Sequence, residues 1–135
     1  MTRRSLFQWL FAATWPTYAV AADGGAPKIE RLVLPDAEWK KRLTNEQYQV
    51  LRKHGTERAG TSPLDAEKRR GRFLCAGCDL PLFGSEMKFD SGTGWPSFFT
   101  AYPGALGTST DFKLLYPRTE YHCARCEGHH GHVFN

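Results

Sequence analysis

Apolar positions follow two different patterns along this chain. In the first, Tyr48 and Leu51 lie three positions apart, a spacing that places both side chains on one face of a helix. In the second, beyond Gly71, short apolar or aromatic segments are separated by turn residues, as is typical of short antiparallel strands. Between the two, residues 55–71 are polar and predict a loop with at most one helical turn at 65–69. The predicted strands cover residues 73–74, 80–83, 98–99, 114–115 and 133–134.

Two helices are predicted near residue 40. The first spans 37–42, with Pro35-Asp36 offering its N-cap. The second begins after Thr44, which forms a capping box with Gln47, and it is expected to close at Gly55. Its inward-facing residues should be structural.

Composition and charge restrict the class of protein. The 135 residues are 41% hydrophobic and 24% charged, which fits one globular domain and excludes wholesale disorder or a polytopic membrane protein. The formal charge is +4. Because Arg3 and Arg4 belong to a segment that we expect to be removed, 16 basic residues remain against 14 acidic ones. That balance gives no electrostatic case for binding nucleic acid.

The amino terminus has the features of an export signal. Arg3 and Arg4 precede an apolar run, and Ala19-Val20-Ala21 supplies a small-residue cleavage site. The run from Leu6 to Val20 is shorter than the roughly 20 apolar residues of a membrane span. The order around the two arginines resembles a twin-arginine signal, although they also suit the basic region of an ordinary secretory signal. Either way we expect a periplasmic protein with a signal peptide at 1–21, a linker at 22–35 and a domain at 36–135, without a membrane span after cleavage.

The cysteines are the strongest chemical signal in the sequence. All four fall in two identical spacings, Cys75-x-x-Cys78 and Cys123-x-x-Cys126. Two such turns supply the four thiolates that a tetrahedral zinc site uses, and a closed site of this kind is structural. Two disulfides are an alternative in an oxidising compartment, and a redox-active Cys-x-x-Cys is a third. The paired short spacings favour zinc, as would folding before export.

A tryptophan loop and a histidine cluster are further candidates. Trp95 lies between glycines and Pro96, so its ring can form a rigid pocket wall, although such a pair also occurs in cores. His129, His130 and His132 follow the second cysteine pair and favour acid–base or hydrogen-bonding chemistry. The alternative is that they are exposed turn residues.

These motifs together resemble the B-type methionine sulfoxide reductases, which act on the R epimer of methionine sulfoxide. The matching stretches occur in the family's order from about Leu32 to the end. They include residues 38–39, 43–52, 55–57, 75–78, 81–83, 88–98, 118–120 and 123–134.

The resemblance implies a mainly β fold of two small antiparallel sheets, with short N-terminal helices and a structural four-cysteine zinc site away from the reaction centre. In this family a cysteine thiolate attacks the sulfoxide sulfur, and the resulting sulfenic acid is reduced through a disulfide and a thioredoxin-like donor. By position, Trp95 receives the substrate's methyl group, and His129 and His132 orient and help protonate the sulfoxide oxygen. Phe134 lines the same pocket.

The sequence departs from the family at the nucleophile. That cysteine lies in an Arg-Tyr-Cys-x-Asn motif beyond the segment that ends here at Asn135. Thr93 occupies the position of the resolving cysteine, and His130 and Asn135 replace an apolar and an acidic residue. We therefore expect a carboxy-terminally truncated, inactive reductase with an unpaired strand edge and lowered stability, and downstream DNA that encodes the missing motif.

Two other functions are compatible with the same residues. One is a non-catalytic zinc module that binds methionine or methionine sulfoxide segments, and the other is a periplasmic dithiol protein. Bound zinc would contradict the second function, that of a dithiol protein. We expect a monomer.

Overall fold

The computed structural model describes residues 27–135, which form a mainly β domain with two short helices before the strands. The predicted fold class is confirmed, but the strands of this region lie in three antiparallel sheets instead of two, because neither short ladder hydrogen-bonds to another sheet. The predicted signal peptide, and the linker up to residue 26, lie outside the described residues. Residues 27–35 contain no helix or strand. The elements are α1 (Asp36–Arg42), α2 (Asn45–Lys53), β1 (Arg72–Leu74), β2 (Pro81–Gly84), a 3₁₀ turn (Ser85–Met87), β3 (Lys88–Phe89), β4 (Ser97–Phe98), β5 (Leu106–Asp111), β6 (Arg118–Cys123) and β7 (His129–Val133).

Both predicted helices are present, with one difference at the start of α1. Asp36 is the first residue of α1 and does not cap it; its carboxylate instead accepts a hydrogen bond from the Tyr48 hydroxyl and pairs with Lys40. The capping box of α2 is confirmed. The Thr44 hydroxyl accepts from the Gln47 amide at 3.2 Å, and the Gln47 side chain accepts from the Thr44 amide at 3.0 Å.

The end of α2 depends on two residues with separate roles. His54, not Gly55, adopts the left-handed conformation, with φ 56°, a region in which histidine is one of the better-tolerated side chains. Gly55 is required for space, because a Cβ there would lie 2.9 Å from the Gln49 carbonyl oxygen.

The core joins the two helices to the cysteine turns. Trp39 and Leu51 are buried against Cys75, Cys123 and Cys126, and Tyr48 is buried in the same cluster as predicted. Burial of this apolar surface fixes the helices over the cysteines.

The strand predictions were wrong at one segment and incomplete at another. Leu114 and Leu115 lie in the turn between β5 and β6, where Leu115 is fully exposed. The strands on either side, β5 and β6, are polar, so the pattern of apolar segments does not predict them. They are strands because β5 and β6 pair along six consecutive positions, from Leu106 opposite Cys123 to Asp111 opposite Arg118.

A β-bulge in β7 controls which histidines share a face. β7 pairs with β6, and His132 lies opposite Glu120 while His129 lies opposite His122. Two residues lie between the two histidines on β7 but only one lies between their partners, so His130 is an extra residue in the ladder. A regular strand would point His129 and His132 to opposite faces, whereas the bulge returns them to the same one.

β7 is also an outer strand of its sheet, since the order in the described residues is β5-β6-β7. Within residues 27–135 no helix combines the length and the apolarity of a membrane span.

Candidate functional site

The four predicted metal ligands come together in one cluster. The Sγ atoms of Cys75, Cys78, Cys123 and Cys126 all lie within 4.8 Å of one another, although the two pairs are separated by more than forty residues of sequence. Cys75 and Cys126 approach to 3.6 Å, and Cys78 and Cys123 to 3.5 Å. Bonds of about 2.3 Å to a tetrahedral metal ion require sulfurs about 3.8 Å apart, whereas a disulfide requires about 2.05 Å. The site therefore fits a metal ion, and the cysteines are free thiols.

The surroundings of the cluster favour a cation at its centre. Contact with Cys123 raises the pKa of Cys126 to about 12 and also raises the pKa of Cys75, so the sulfurs cannot all be anionic without a compensating positive charge. Four thiolates around a divalent ion keep a net negative charge, and three guanidinium groups offset part of it by donating to carbonyls of the turns. Arg52 donates to Cys126 at 2.7 Å, and Arg42 and Arg125 each donate at 3.2 Å.

His130 belongs to the cysteine cluster and not to the other histidines. The bulge places its Nε2 3.3 Å from the Cys75 Sγ. Burial lowers the pKa of His130 to about 4, so the ring is neutral near neutral pH. The ring can therefore donate one N–H to the sulfur without carrying a charge.

The β5-β6-β7 sheet carries a second group of polar residues on the side opposite to Cys123, and we call this group the polar face. Cross-strand partners point to the same side of a sheet, and the register aligns three strands here. The polar face consists of Ser109 and Asp111 on β5, Arg118, Glu120 and His122 on β6, and His129 and His132 on β7.

Glu120 lies at the centre of the polar face and is 2% exposed. One carboxylate oxygen contacts Nδ1 of His129 at 2.9 Å. The other accepts from the Ser109 hydroxyl at 2.6 Å and contacts Nδ1 of His122 at 3.0 Å. Nδ1 of His54, at the end of α2, lies 3.8 Å from the first oxygen. One buried carboxylate thus has three imidazoles around it.

The charge states follow from these contacts. Burial alone would raise the pKa of Glu120, but the hydrogen bonds from Ser109, His129 and His122 outweigh it and lower the pKa to about 2. Burial lowers the pKa of His129, more than the contact with Glu120 raises it. An ionised carboxylate therefore faces an imidazole that is neutral near pH 7.

His129 and His132, the pair to which the family resemblance assigns a role, lie close together. Their rings lie 5.2 Å apart in an edge-to-face arrangement. Nε2 of His132 lies 2.7 Å from an Asp111 oxygen that also accepts from Arg118 at 2.8 Å. The Lys113 amide and the His132 contact lower the pKa of Asp111, which is therefore ionised. Each imidazole is held at one nitrogen by a carboxylate, and its other nitrogen makes no hydrogen bond to residues 27–135.

Trp95 and Phe134 are partly and largely exposed. The Trp95 indole N–H donates to the Glu57 carbonyl at 2.9 Å, which fixes the ring while leaving it 38% exposed. Phe134 follows β7 and is 83% exposed. Neither residue lines the two clefts beside the polar face, which measure about 340 and 220 Å³. Their assignment to a substrate pocket remains a prediction.

Sequence reasoning missed several residues of the polar face. Glu120 was noticed only within a family motif, and Ser109, Asp111, His122 and His54 were not singled out. The alternation of charged residues at 118, 120 and 122 was a signal for a strand with one ionisable face. His54 could not be found in this way because it comes from a distant helix.

Comparison with known proteins identifies the family. The SelR domain model matches residues 43–135. The peptide methionine sulfoxide reductase MsrB of Agrobacterium fabrum is 47% identical over 114 residues, which cover 84% of this chain and 82% of the relative. MsrB of Thiobacillus denitrificans is 49% identical over 100 residues, covering 73% and 76%.

Plant relatives are longer. The chloroplastic peptide methionine sulfoxide reductase B1 of Arabidopsis thaliana is 48% identical over 111 residues, covering 82% of this chain and 55% of the relative. The chain thus spans about half the length of this plant relative.

Three observations agree on the family: two Cys-x-x-Cys turns that meet in space, a paired His129 and His132, and a domain match over most of the sequence. The chain belongs to the SelR-domain family of MsrB-type methionine sulfoxide reductases.

Proposed function

We propose that residues 36–135 form a methionine-R-sulfoxide reductase domain, which returns oxidised methionine in proteins or peptides to methionine at the expense of a thiol reductant. The observation that supports it best is the placement of His129 and His132 on one face by the bulge, in a chain of this family. The two bacterial relatives, both peptide methionine sulfoxide reductases, support the reduction of methionine sulfoxide.

The two histidines would bind the sulfoxide oxygen. Each is oriented by its own carboxylate, Glu120 or Asp111, so the nitrogen turned away from the carboxylate is available to the substrate. The ionised Asp111 can offset a positive charge on His132 when that ring donates a proton to the departing oxygen. Trp95, fixed through its indole N–H, would receive the methyl group on the exposed part of its ring, next to Phe134.

The reaction of this family needs a free thiolate. It attacks the sulfoxide sulfur, the sulfoxide S–O bond breaks, methionine is released, and the oxygen is transferred to the cysteine as a sulfenic acid. A thioredoxin-like dithiol then reduces the sulfenic acid to the thiol, and the products are water and the disulfide of the donor. All four cysteines of the 135-residue chain lie in the cluster. We propose that a polypeptide of these 135 residues binds the substrate but does not turn it over.

The cluster would hold a structural zinc ion. Four sulfurs close the coordination sphere, so such an ion would hold the two turns together and offer no position to a substrate. The fit of the sulfur distances to a tetrahedral ion supports this. We further propose, on the basis of its first 21 residues, that the protein is exported to the periplasm by the twin-arginine route. We propose separately that it is a monomer.

The absence of a thiol outside the cluster favours a second candidate, a non-catalytic zinc module that binds methionine or methionine sulfoxide segments. An assay with a dithiol reductant and each sulfoxide epimer separates the two. For the 135-residue chain we expect no turnover of either epimer, and a robust rate would refute our account of the nucleophile. Extending the chain by the family's Arg-Tyr-Cys-x-Asn segment should restore the R epimer selectively if the domain is a reductase.

Binding tests the substrate residues directly. We expect saturable binding of a methionine-R-sulfoxide peptide that Trp95→Ala weakens. The matched control is Tyr116→Ala, which removes an aromatic side chain that is also exposed. Equal affinity of both variants would exclude Trp95 from the site.

A further inference from the structure

A buried carboxylate and two imidazoles form a second ligand group apart from the cysteine cluster. The nearest ligand atoms of His54, Glu120 and His129 all lie within 4.8 Å of one another. We propose that these three residues bind a divalent transition-metal ion such as Zn²⁺ or Co²⁺. This proposal does not depend on the reductase activity, although it shares His129 with the proposed substrate site.

The donor set suits such an ion. Two imidazole nitrogens and one carboxylate oxygen are ligands that zinc and cobalt accept, whereas Mg²⁺ and Ca²⁺ prefer oxygen alone. Bonds of about 2.0–2.1 Å in tetrahedral geometry place ligand atoms about 3.4 Å apart. The present distances from the Glu120 oxygen, 2.9 Å to His129 and 3.8 Å to His54, lie on either side of that value.

Binding an ion would require only a small movement of the His54 ring, which is free to rotate. His54 ends α2, and its side chain is 53% exposed, so its ring can approach the carboxylate by a rotation. His129 and Glu120 are both buried and already in contact. An ion would take the place of the hydrogen between Nδ1 of His129 and the Glu120 oxygen.

Neighbouring residues already orient the carboxylate. The second oxygen of Glu120 is held by Ser109 and His122, an arrangement that resembles the outer-shell contacts of metal ligands. A cleft of about 340 Å³, lined by His54 and Glu120 among others, gives an ion access from solvent. Glu127 also lines this cleft, where its carboxylate pairs with Arg31 at 2.7 Å. Arg52, the one arginine in the lining, is turned to the Cys126 carbonyl and the Trp39 ring.

Charge also favours a cation here. Glu120 is buried, and none of the groups that contact its carboxylate within residues 27–135 is a lysine or an arginine. The nearby cations are engaged elsewhere: Arg118 pairs with Asp111, and Lys113 donates to the His54 carbonyl. A divalent ion would supply a cation in direct contact with this buried carboxylate.

Cobalt titration of the full chain, after one equivalent of zinc has filled the cysteine cluster, tests the proposal. We expect a second metal ion per chain, with a visible spectrum that shows d–d bands and lacks sulfur-to-cobalt charge transfer. His54→Gly should weaken cobalt binding by at least about 10-fold, the lower limit even for outer-shell changes, and leave the cluster zinc at one per chain. Glycine suits the left-handed conformation of residue 54, so this variant should keep the fold.

The matched control is Lys53→Ala, which changes the preceding residue and leaves all three ligands in place. Its cobalt affinity should stay within about twofold of the parent chain, against the 10-fold loss set above. Either of two results would overturn the proposal: a parent chain whose only cobalt bands are those of sulfur ligation, or equal cobalt affinity in the parent and His54→Gly.

Discussion

Replacing Glu120 by glutamine removes the negative charge at the centre of the polar face with little change in shape. The carboxylate is 2% exposed and takes three hydrogen bonds, from Ser109, His122 and His129. In glutamine, the amide NH₂ group would face one of these three hydrogen-bond donors, which then has no acceptor. The remaining hydrogen bonds would be weaker because the carbonyl oxygen carries no charge. Because hydrogen bonds to charged groups contribute about 1.5–3 kcal/mol each and the carbonyl keeps part of them, we expect a net loss of about 3 kcal/mol.

The pKa of Glu120 leads to the same magnitude. A carboxyl that ionises at 4.5 in the unfolded chain and at about 2 in the fold stabilises the folded state by about 3 kcal/mol at neutral pH. Since the folded pKa is the lower one, this stabilisation is complete above pH 4.5 and is lost as the pH falls toward 2.

Urea unfolding of the protein and its variant, each loaded with only the one equivalent of zinc that fills the cysteine cluster, measures the difference between pH 8 and pH 5. Both proteins carry the same cysteine cluster, so the effect of acid on metal binding cancels. We expect the difference not to shrink down to pH 5. Ser109→Ala, which removes one hydrogen bond but keeps the charge, should cost about 1.5 kcal/mol, the lower end for a hydrogen bond to a charged group. A loss below about 1 kcal/mol for Glu120→Gln, or one that disappears by pH 6, would refute the reasoning.

Three further predictions concern the metal and the helices. Cys78→Ser should reduce bound zinc well below one per chain and lower the unfolding temperature sharply, as measured by elemental analysis and circular dichroism; full zinc content would contradict the ligand assignment. Gly55→Ala should destabilise the protein by about 1–3 kcal/mol, because its Cβ would lie 2.9 Å from a carbonyl oxygen. Gly71→Ala, with open space around it, should have almost no effect in the same thermal unfolding assay. Thr44→Ala should cost about 1 kcal/mol through the lost capping box, and Thr44→Ser should restore most of it in urea unfolding.

Local patterns were sufficient for the features that depend on neighbouring residues. The capping box at Thr44 is a matter of a hydroxyl and an amide three residues apart, so four residues of sequence predict it. The two Cys-x-x-Cys spacings likewise predict a site of four thiolates, and the structure brings the four sulfurs together as expected. The resemblance to the family, carried by ordered motifs, was confirmed over residues 43–135.

Strand placement failed where composition was misleading. Leu114 and Leu115 are apolar but lie in a turn, because hydrogen-bonded pairing of the polar residues on either side defines the hairpin. Apolarity alone does not indicate which of these segments pairs, since pairing depends on the register between the two strands; the alternation at 118, 120 and 122 is the local signal of a strand here.

Local sequence patterns and the family resemblance are enough for the ligand types, the family and the helix boundaries to within a residue or two. The bulge that puts His129 and His132 on one face and turns His130 to Cys75 is seen only in the folded chain, as is the packing that brings His54 from a separate helix to Glu120. Side-chain direction in a strand reverses with each residue. One inserted position, invisible in the sequence until its pairing partner is known, therefore changes which groups meet.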